Sequence, residues 1–286
     1  MANEYASNFG DVVKHIVLSA AIEHEQPTRY VESHGGRLDY GLAELVPGRG
    51  GVWDFLELAA QNPALEASAY ARALRPLAGT ADEPGIYPGS VALADALLPK
   101  GAEVLAFDLV ESSAISLRVG LAARGRPATV PVGDGLQGVL DEARQGDLVL
   151  LDPFHVADAD GAGPSSVDAF AVLAERRVAT LLWYGVFQPD EPIHWTQEVR
   201  GRLERLLWRA EFSCGDTDAG LAGCGVVGAN LAERTEAELT RLAFDLGHAL
   251  ETKVAGLRFA VAQSDDESNA IWHPFGARHA GVGDVC

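Results

Sequence analysis

The chain has 286 residues, 48% of them hydrophobic and 22% charged, an ordinary globular composition with enough apolar side chain to bury a core. Lys and Arg number 22 against 41 Asp and Glu, a net charge of −19. Nucleic-acid affinity draws on cations that displace counterions from phosphates, so this balance argues against a general binder of RNA or DNA.

No run of about 18 uncharged apolar residues is present, which argues against a helical membrane span. No basic stretch leads into an apolar one near the start, as a secretory signal requires. Cys214, Cys224 and Cys286 are too scattered for a disulfide framework or a metal knuckle. The expectation is a cytoplasmic protein without a metal site. The length fits one large domain, or one domain with an insert.

Apolar spacing switches repeatedly between a helical period and short continuous runs. Asn8–Glu23 reads as a helix and Arg29–His34 as a strand ending in Gly35-Gly36. Residues 38–86 break the alternation with two Gly/Pro-rich hinges around helical stretches at Trp53–Gln61 and Ala64–Leu77. Strand Val104–Asp108, helix Ser112–Arg124, strand Thr129–Val132, helix Leu136–Arg144 and strand Leu148–Asp152 follow. Next come helix Val167–Glu175, strand Thr180–Tyr184, helix Thr196–Arg209, strands near Ala210–Cys214 and Gly225–Asn230, helix Glu236–Glu251 and strand Leu257–Val261. Such alternation predicts a mostly parallel sheet with helices on both faces and ligands at the carboxyl ends of its strands.

Polar and glycine residues gather at those ends. Asp108 closes VLAFD, where an acid can take ribose hydroxyls or simply be solvated. Gly35-Gly36 lets backbone approach a ligand or makes an ordinary turn. Asp134-Gly135 reads as an adenine contact or a turn dipeptide. In Asp152-Pro153 the proline fixes the backbone beyond the carboxylate, which suits an Asp held toward an N–H donor, or a strand-terminating turn. His15 and His34 are placed where the first helix and first strand meet the same cleft.

The segments NFGDVVKH (8–15), RYVESHGG (29–36), YPGS (87–90), VLAFDL (104–109), GDG (133–135), LLDPFH (150–155) and LLWYGVF (181–187), in this order and spacing, resemble the bacterial 23S rRNA adenine-N6 methyltransferase family RlmJ. The resemblance runs from residue 8 to about 260. It implies a Rossmann-like α/β fold of the class I S-adenosylmethionine-dependent methyltransferase kind, with a methyltransferase domain over 1–37 and 87–264, a helical insertion at 38–86 after the first strand and a polar tail at 265–286. It implies cofactor contacts at Lys14, His15, His34, Gly36, Ser90, Asp108, Asp134 and Gly135, and at Asp152, which is also the implied catalytic residue. Pro153, Phe154, His155 and Tyr184 would wall the acceptor pocket.

The departures from the family pattern carry their own expectations. Leu38 stands about where the family has a glycine, and a bulkier side chain there would narrow the cofactor cleft or shift the loop. The family's DPPY becomes Asp152-Pro153-Phe154-His155, which alters the aromatic that stacks on a flipped base. The family's aromatic and basic N-terminal segment has no counterpart before Asn8.

Three readings follow. The first is an N-methyltransferase acting on a nitrogen of a small molecule or peptide, with the acidic surface steering a cationic amine or guanidinium. The second is an rRNA methyltransferase, disfavoured by charge, which needs a basic surface from arginines such as Arg118, Arg124 and Arg126 or Arg200, Arg202 and Arg205. The third is a non-catalytic binding protein on the same fold.

Overall fold

A computed structural model describes residues 6–45, 50–80, 82–153, 156, 163–187, 207–213 and 222–262. Asn8 starts the first helix, α1 (Phe9–Glu25), by accepting the Asp11 backbone N–H, and every α1 residue up to Ile22 except Asp11 is buried. A helix apolar around nearly its whole circumference belongs in the interior. Lys14 and His15 are therefore carried into the core, where each needs a polar partner.

Eight strands form the main sheet: β1 (Arg29–Glu32), β4 (Glu103–Ala106), β5 (Ala128–Thr129), β6 (Asp147–Leu151), β7 (Ala179–Val186), β8 (Trp208–Ser213), β9 (Gly223–Ala229) and β10 (Arg258–Ala262). They run in the order β10-β8-β9-β7-β6-β1-β4-β5. β1 pairs in parallel with both β4 and β6, β4 with β5 and β6 with β7. β9 lies antiparallel between β7 and β8, and β10 antiparallel beside β8. β6, with all five residues buried, is the continuous apolar run expected of a parallel strand covered on both faces.

The chain leaves β1 toward β4 and β5, then returns to β6 and β7 on the other side. The strand order thus reverses at β1, and a crevice opens there at the carboxyl ends. This is a Rossmann-like α/β arrangement. α6 (Glu111–Ala123), α7 (Gly135–Glu142), α8 (Ser166–Glu175) and α9 (Glu233–Leu250) complete the layers with α5 (Ser90–Leu97).

The stretch 38–86 is not purely helical. β2 (Asp39–Gly41) and β3 (Ile86–Pro88) form a small antiparallel ladder across its ends, enclosing α2 (Val52–Ala59), α3 (Pro63–Glu66) and α4 (Ala69–Ala78). Phe55, Leu65, Tyr70 and Leu74 join the same apolar cluster as Val12, Ile16 and Val17 of α1, so the stretch is clamped onto α1.

Three local expectations change. Ala64–Leu77 is two helices, because Ser68 restarts the chain by accepting the Ala71 N–H. Trp208 and Arg209, expected at a helix end, begin β8. Apolar and polar side chains alternate along β8, with Trp208, Ala210 and Phe212 in the cluster beside α1, and every residue from Trp208 to Phe212 is buried. α5 and the β2–β3 ladder go unread in the sequence because each is short and bounded by Gly or Pro. Leu38 does not narrow the cleft: it is buried against Gly120 of α6, where an added Cβ would meet its Cδ2 at 2.1 Å.

Among the described residues no helix is long and apolar enough to cross a membrane. Residues 265–286 and the 196–207 part of the expected helix at 196–209, apart from Leu207, lie outside the described residues.

Candidate active site

The loop after β1 is pinned at the point of strand reversal. The Ser33 N–H donates to the Leu150 carbonyl of β6, and the Gly35 N–H to the Phe107 carbonyl after β4. Gly36 follows with φ +60°, a conformation that L side chains rarely adopt, and a Cβ there would meet the Tyr40 hydroxyl at 2.9 Å. In this pose the Gly36 N–H donates to Asp108 Oδ2 at 2.8 Å, while the Val110 N–H donates to Oδ1 at 2.7 Å. Asp108 is thereby fixed at the end of β4 with one backbone amide on each oxygen, and each oxygen keeps a further lone pair for a hydroxyl.

On the other side of the loop stands an ionic group. Lys14 Nζ donates to Asp152 Oδ2 at 2.7 Å and lies 2.8 Å from Asp11 Oδ1, 5.4 Å from the centre of the Trp183 ring. Burial alone would lower the Lys14 pKa, but Asp11 and Asp152 together hold it well above the ordinary lysine value. Burial pushes the Asp152 carboxyl up, only partly offset by Lys14. For Asp11 burial also works upward, yet Lys14, His15 and the Ser7 N–H bring it below the usual carboxylate range. One turn along α1, His15 is 2% exposed. Burial, aided by the Lys14 charge, pushes its pKa down to about 3, so the ring is neutral. Its Nδ1 meets the Tyr87 hydroxyl at 2.7 Å, and its Nε2 is buried with no partner.

Beneath the cavity floor Glu32, the last residue of β1, is fully buried. It accepts from the Tyr30 hydroxyl at 2.7 Å and from the Ser90 hydroxyl. Burial first, and the Asp152 charge second, push its pKa up to about 7.

These residues border a cavity of about 530 Å³, within the range of sites that enclose a cofactor-sized molecule. Lys14, His15, His34, Gly36, Ser90, Asp108, Asp152 and Pro153 all line it, so the structure brings eight of the predicted positions to one place. His34 is held there by a 2.7 Å contact between its Nδ1 and the Ser33 hydroxyl. Asp11, Tyr40, Tyr87 and Trp183 line it as well and were not singled out in the sequence. The spacing of Asp11 one turn before Lys14 and His15 was the available signal.

Three predicted positions need correction. Tyr184 points to the opposite face of β7, where its hydroxyl donates to Glu211 at 2.9 Å; with side chains alternating along a strand, its neighbour Trp183 faces the cavity. Asp134 spends Oδ1 as the N-cap of α7, accepting the Gln137 N–H at 3.0 Å. Gly135 packs so closely on the loop that a Cβ would sit 1.7 Å from the Ser33 carbonyl oxygen. Asp134 and Gly135 stand at the same sheet edge but not in the lining of this cavity. Phe154 and His155 lie outside the described residues.

Of the arginines named for a basic surface, Arg118, Arg124 and Arg126 are already engaged. Arg118 Nε donates to the Val130 carbonyl. Arg124 pairs with Asp39 and Asp95. Arg126 bonds Asp95 and the carbonyls of Pro99, Ala102 and Asp95. Arg200, Arg202 and Arg205 lie outside the described residues.

No family model and no curated protein matches the chain. Among solved structures, a Legionella pneumophila protein carrying the family label DUF519 shares the fold with a TM-score of 0.74 and 18% identity, over 91% of this chain and 99% of that one. An rRNA methylase from Streptococcus thermophilus aligns at a TM-score of 0.40 and 13% identity, over 77% and 97% of the two chains. An O-methyltransferase from Bacillus cereus in complex with SAH aligns at 0.41 and 14%, over 80% and 85%. At those two scores the likeness carries no weight for the site.

Proposed function

We propose that the chain is an S-adenosylmethionine-dependent N-methyltransferase, divergent from the RlmJ family it resembles, whose acceptor is a nitrogen of a small molecule or peptide, cationic amines and guanidines included. The observation that carries this reading is the cavity lining. Asp11, Asp108 and Asp152 set three carboxylates against the single ammonium of Lys14 at the carboxyl ends of β1, β4 and β6. Opposite charges within a few ångströms favour a cation, and a sulfonium nucleoside is a cation that also carries ribose hydroxyls.

The residues present fit that cofactor. Asp108 has lone pairs left for the ribose. Gly36, with no side chain and a left-handed backbone, lets the ligand approach the loop. The partnerless Nε2 of His15 is a buried polar atom that a ligand's polar group would satisfy. The cofactor supplies a methyl group already activated by its sulfonium, so the protein's work is positioning and desolvation.

Asp152 is the catalytic residue in this reading. Its carboxylate accepts a hydrogen bond from the N–H of the unprotonated acceptor, orients the nitrogen lone pair and takes up the proton released once that nitrogen is methylated. Lys14, which already holds Asp152 Oδ2, fixes that orientation and leaves Oδ1 for the acceptor. Trp183 and Pro153 supply apolar wall, which excludes water from the nitrogen. The small-molecule reading is favoured over rRNA by the engagement of Arg118, Arg124 and Arg126 with carboxylates and carbonyls, which leaves those three poorly disposed to grip phosphates.

The test is a transfer assay with methyl-labelled cofactor against amines, amino acids, nucleosides and rRNA. Label on an amine or guanidine supports the proposal. Label on rRNA adenine alone would overturn the acceptor class, and no label on any acceptor together with no cofactor binding would overturn the enzyme reading.

A further inference from the structure

The neutral ring of His15 is reached from outside the main sheet by two buried phenols. Tyr70 of α4 is fully buried and Tyr87 of β3 is 1% exposed. The Tyr87 hydroxyl stands 2.7 Å from His15 Nδ1 and 3.3 Å from the Tyr70 hydroxyl. The rings pack around the imidazole with centroids 5.4 Å away for Tyr87 and 6.0 Å for Tyr70. The imidazole is thus held in orientation as well as in hydrogen bonding.

Hydrogen counting selects one arrangement. The two phenols and the neutral imidazole bring one hydrogen each to a chain with two links. If His15 Nδ1 donates to Tyr87 and Tyr87 to Tyr70, the Tyr70 hydrogen is buried without an acceptor, and Nε2 is left as a bare lone pair. If Tyr87 accepts from both sides, its own hydrogen is stranded instead. If Tyr70 donates to Tyr87 and Tyr87 donates to Nδ1, both phenolic hydrogens are used. The one group left over is then an N–H at Nε2, on a residue that lines the cavity. Every arrangement leaves one hydrogen over, but the first two also leave the buried Nε2 lone pair bare, so the last has the fewest unsatisfied groups and holds.

We infer that Tyr70 and Tyr87 are positioning residues that fix His15 in the tautomer whose Nε2 carries the hydrogen, so that it presents an N–H donor to an acceptor oxygen of the bound ligand. His15 lies beside Lys14 on α1, on a different element from Asp108. With the ribose on Asp108, the acceptor oxygen assigned to His15 is that of the cofactor's methionine carboxylate. The carboxylate assignment rests on the cofactor reading above; the tautomer does not. The role ties α4 and β3, far in sequence from the strand ends, to ligand recognition.

The test uses the full chain labelled with 15N-histidine. Long-range proton–nitrogen correlation in the ligand-free protein, with His15 assigned by the signal lost in His15→Gln, is expected to show Nε2 protonated and Nδ1 bare. A protonated Nδ1 in the wild type would overturn the proposal. Calorimetry with S-adenosylmethionine gives a second readout. Tyr87→Phe is expected to weaken binding about five- to tenfold, the scale of one hydrogen bond. In a His15→Gln background the same change should cost less than about twofold, because the glutamine amide carries its own N–H donor. An equal loss in both backgrounds would mean that Tyr87 acts on packing alone and would overturn the role. Should Tyr87→Phe fail to fold, the nitrogen spectrum of the wild type still decides the tautomer. If the wild type gives no heat with S-adenosylmethionine, the cofactor reading fails while the nitrogen spectrum still decides the tautomer.

Discussion

Asp108 and Asp152 close two strands that flank β1, yet they are held in different ways. Asp108 takes backbone N–H groups from Gly36 and Val110, partners that are part of the chain path and carry no full charge. Asp152 is held by a buried ammonium, with Asp11 sharing it and Glu32 underneath. The β4 side is a fixed cradle suited to recognising a neutral hydroxylated group. The α1–β6 side is electrostatically loaded, and there a proton or a methyl can change the local balance.

The largest expected effect falls on the loaded side. Asp152→Asn should lower methyl transfer by about 10²- to 10⁴-fold, the usual range for a group that handles a proton in the transition state, and should also weaken cofactor binding, because one of the three carboxylates that face the sulfonium is lost. Turnover assays at saturating cofactor check this, and near-normal turnover would remove Asp152 from the chemistry. Asn is preferred to Ala because its amide oxygen still accepts from Lys14, although it too removes the charge of a buried ion pair, a loss of about 3–5 kcal/mol when one partner is stripped. Asp11 would take up only part of the Lys14 charge.

Glu32 gives the next effect, on stability. Its pKa is raised from 4.5 to about 7, so the folded state binds its proton more tightly than the unfolded state does. That contribution is fully present below about pH 4.5 and is lost as pH rises through about 7. At 1.36 kcal/mol per pH unit the loss is about 3 kcal/mol. Glu32→Gln, which mimics the protonated form, should gain stability relative to wild type across that window, measured as the difference between two denaturant-unfolding series. A difference that stays flat with pH would show that Glu32 ionises normally.

On the cradle side the effects shrink. Asp108→Ala should weaken S-adenosylmethionine binding by about 1–3 kcal/mol, the scale of a hydrogen bond to a charged group and of the donors left unpaired. Smallest of all is Arg124→Gln. Its ion pairs are surface ones with side chains 37%, 29% and 10% exposed, worth about 0–1 kcal/mol. It should leave the salt slope of any rRNA-fragment binding unchanged; a slope reduced by about one would restore Arg124 as a phosphate contact.

The carboxyl ends of the strands were legible in the sequence because period and punctuation carry them. Apolar runs end in Glu32, Asp108 and Asp152, and the parallel order brings those ends together. What stayed hidden depended on a choice that composition does not make. Trp183 and Tyr184 are both aromatic, and a strand buried on both faces gives no polar alternation to say which one meets the cavity. Asp134 was read for its charge, whereas its role as the cap of α7 depends on a turn geometry that a GDG string only hints at. The Tyr70–Tyr87–His15 chain spans 72 positions between His15 and Tyr87, a separation that no local pattern reports.

The most direct measurement is an isothermal titration of S-adenosylmethionine into the full chain, run beside Asp108→Ala. A single saturable heat in the wild type, weakened about 5- to 150-fold in the variant, is the expected result. No heat at high micromolar cofactor, or one that the variant leaves untouched, would mean that the β1–β4–β6 crevice is not where a sulfonium nucleoside is held.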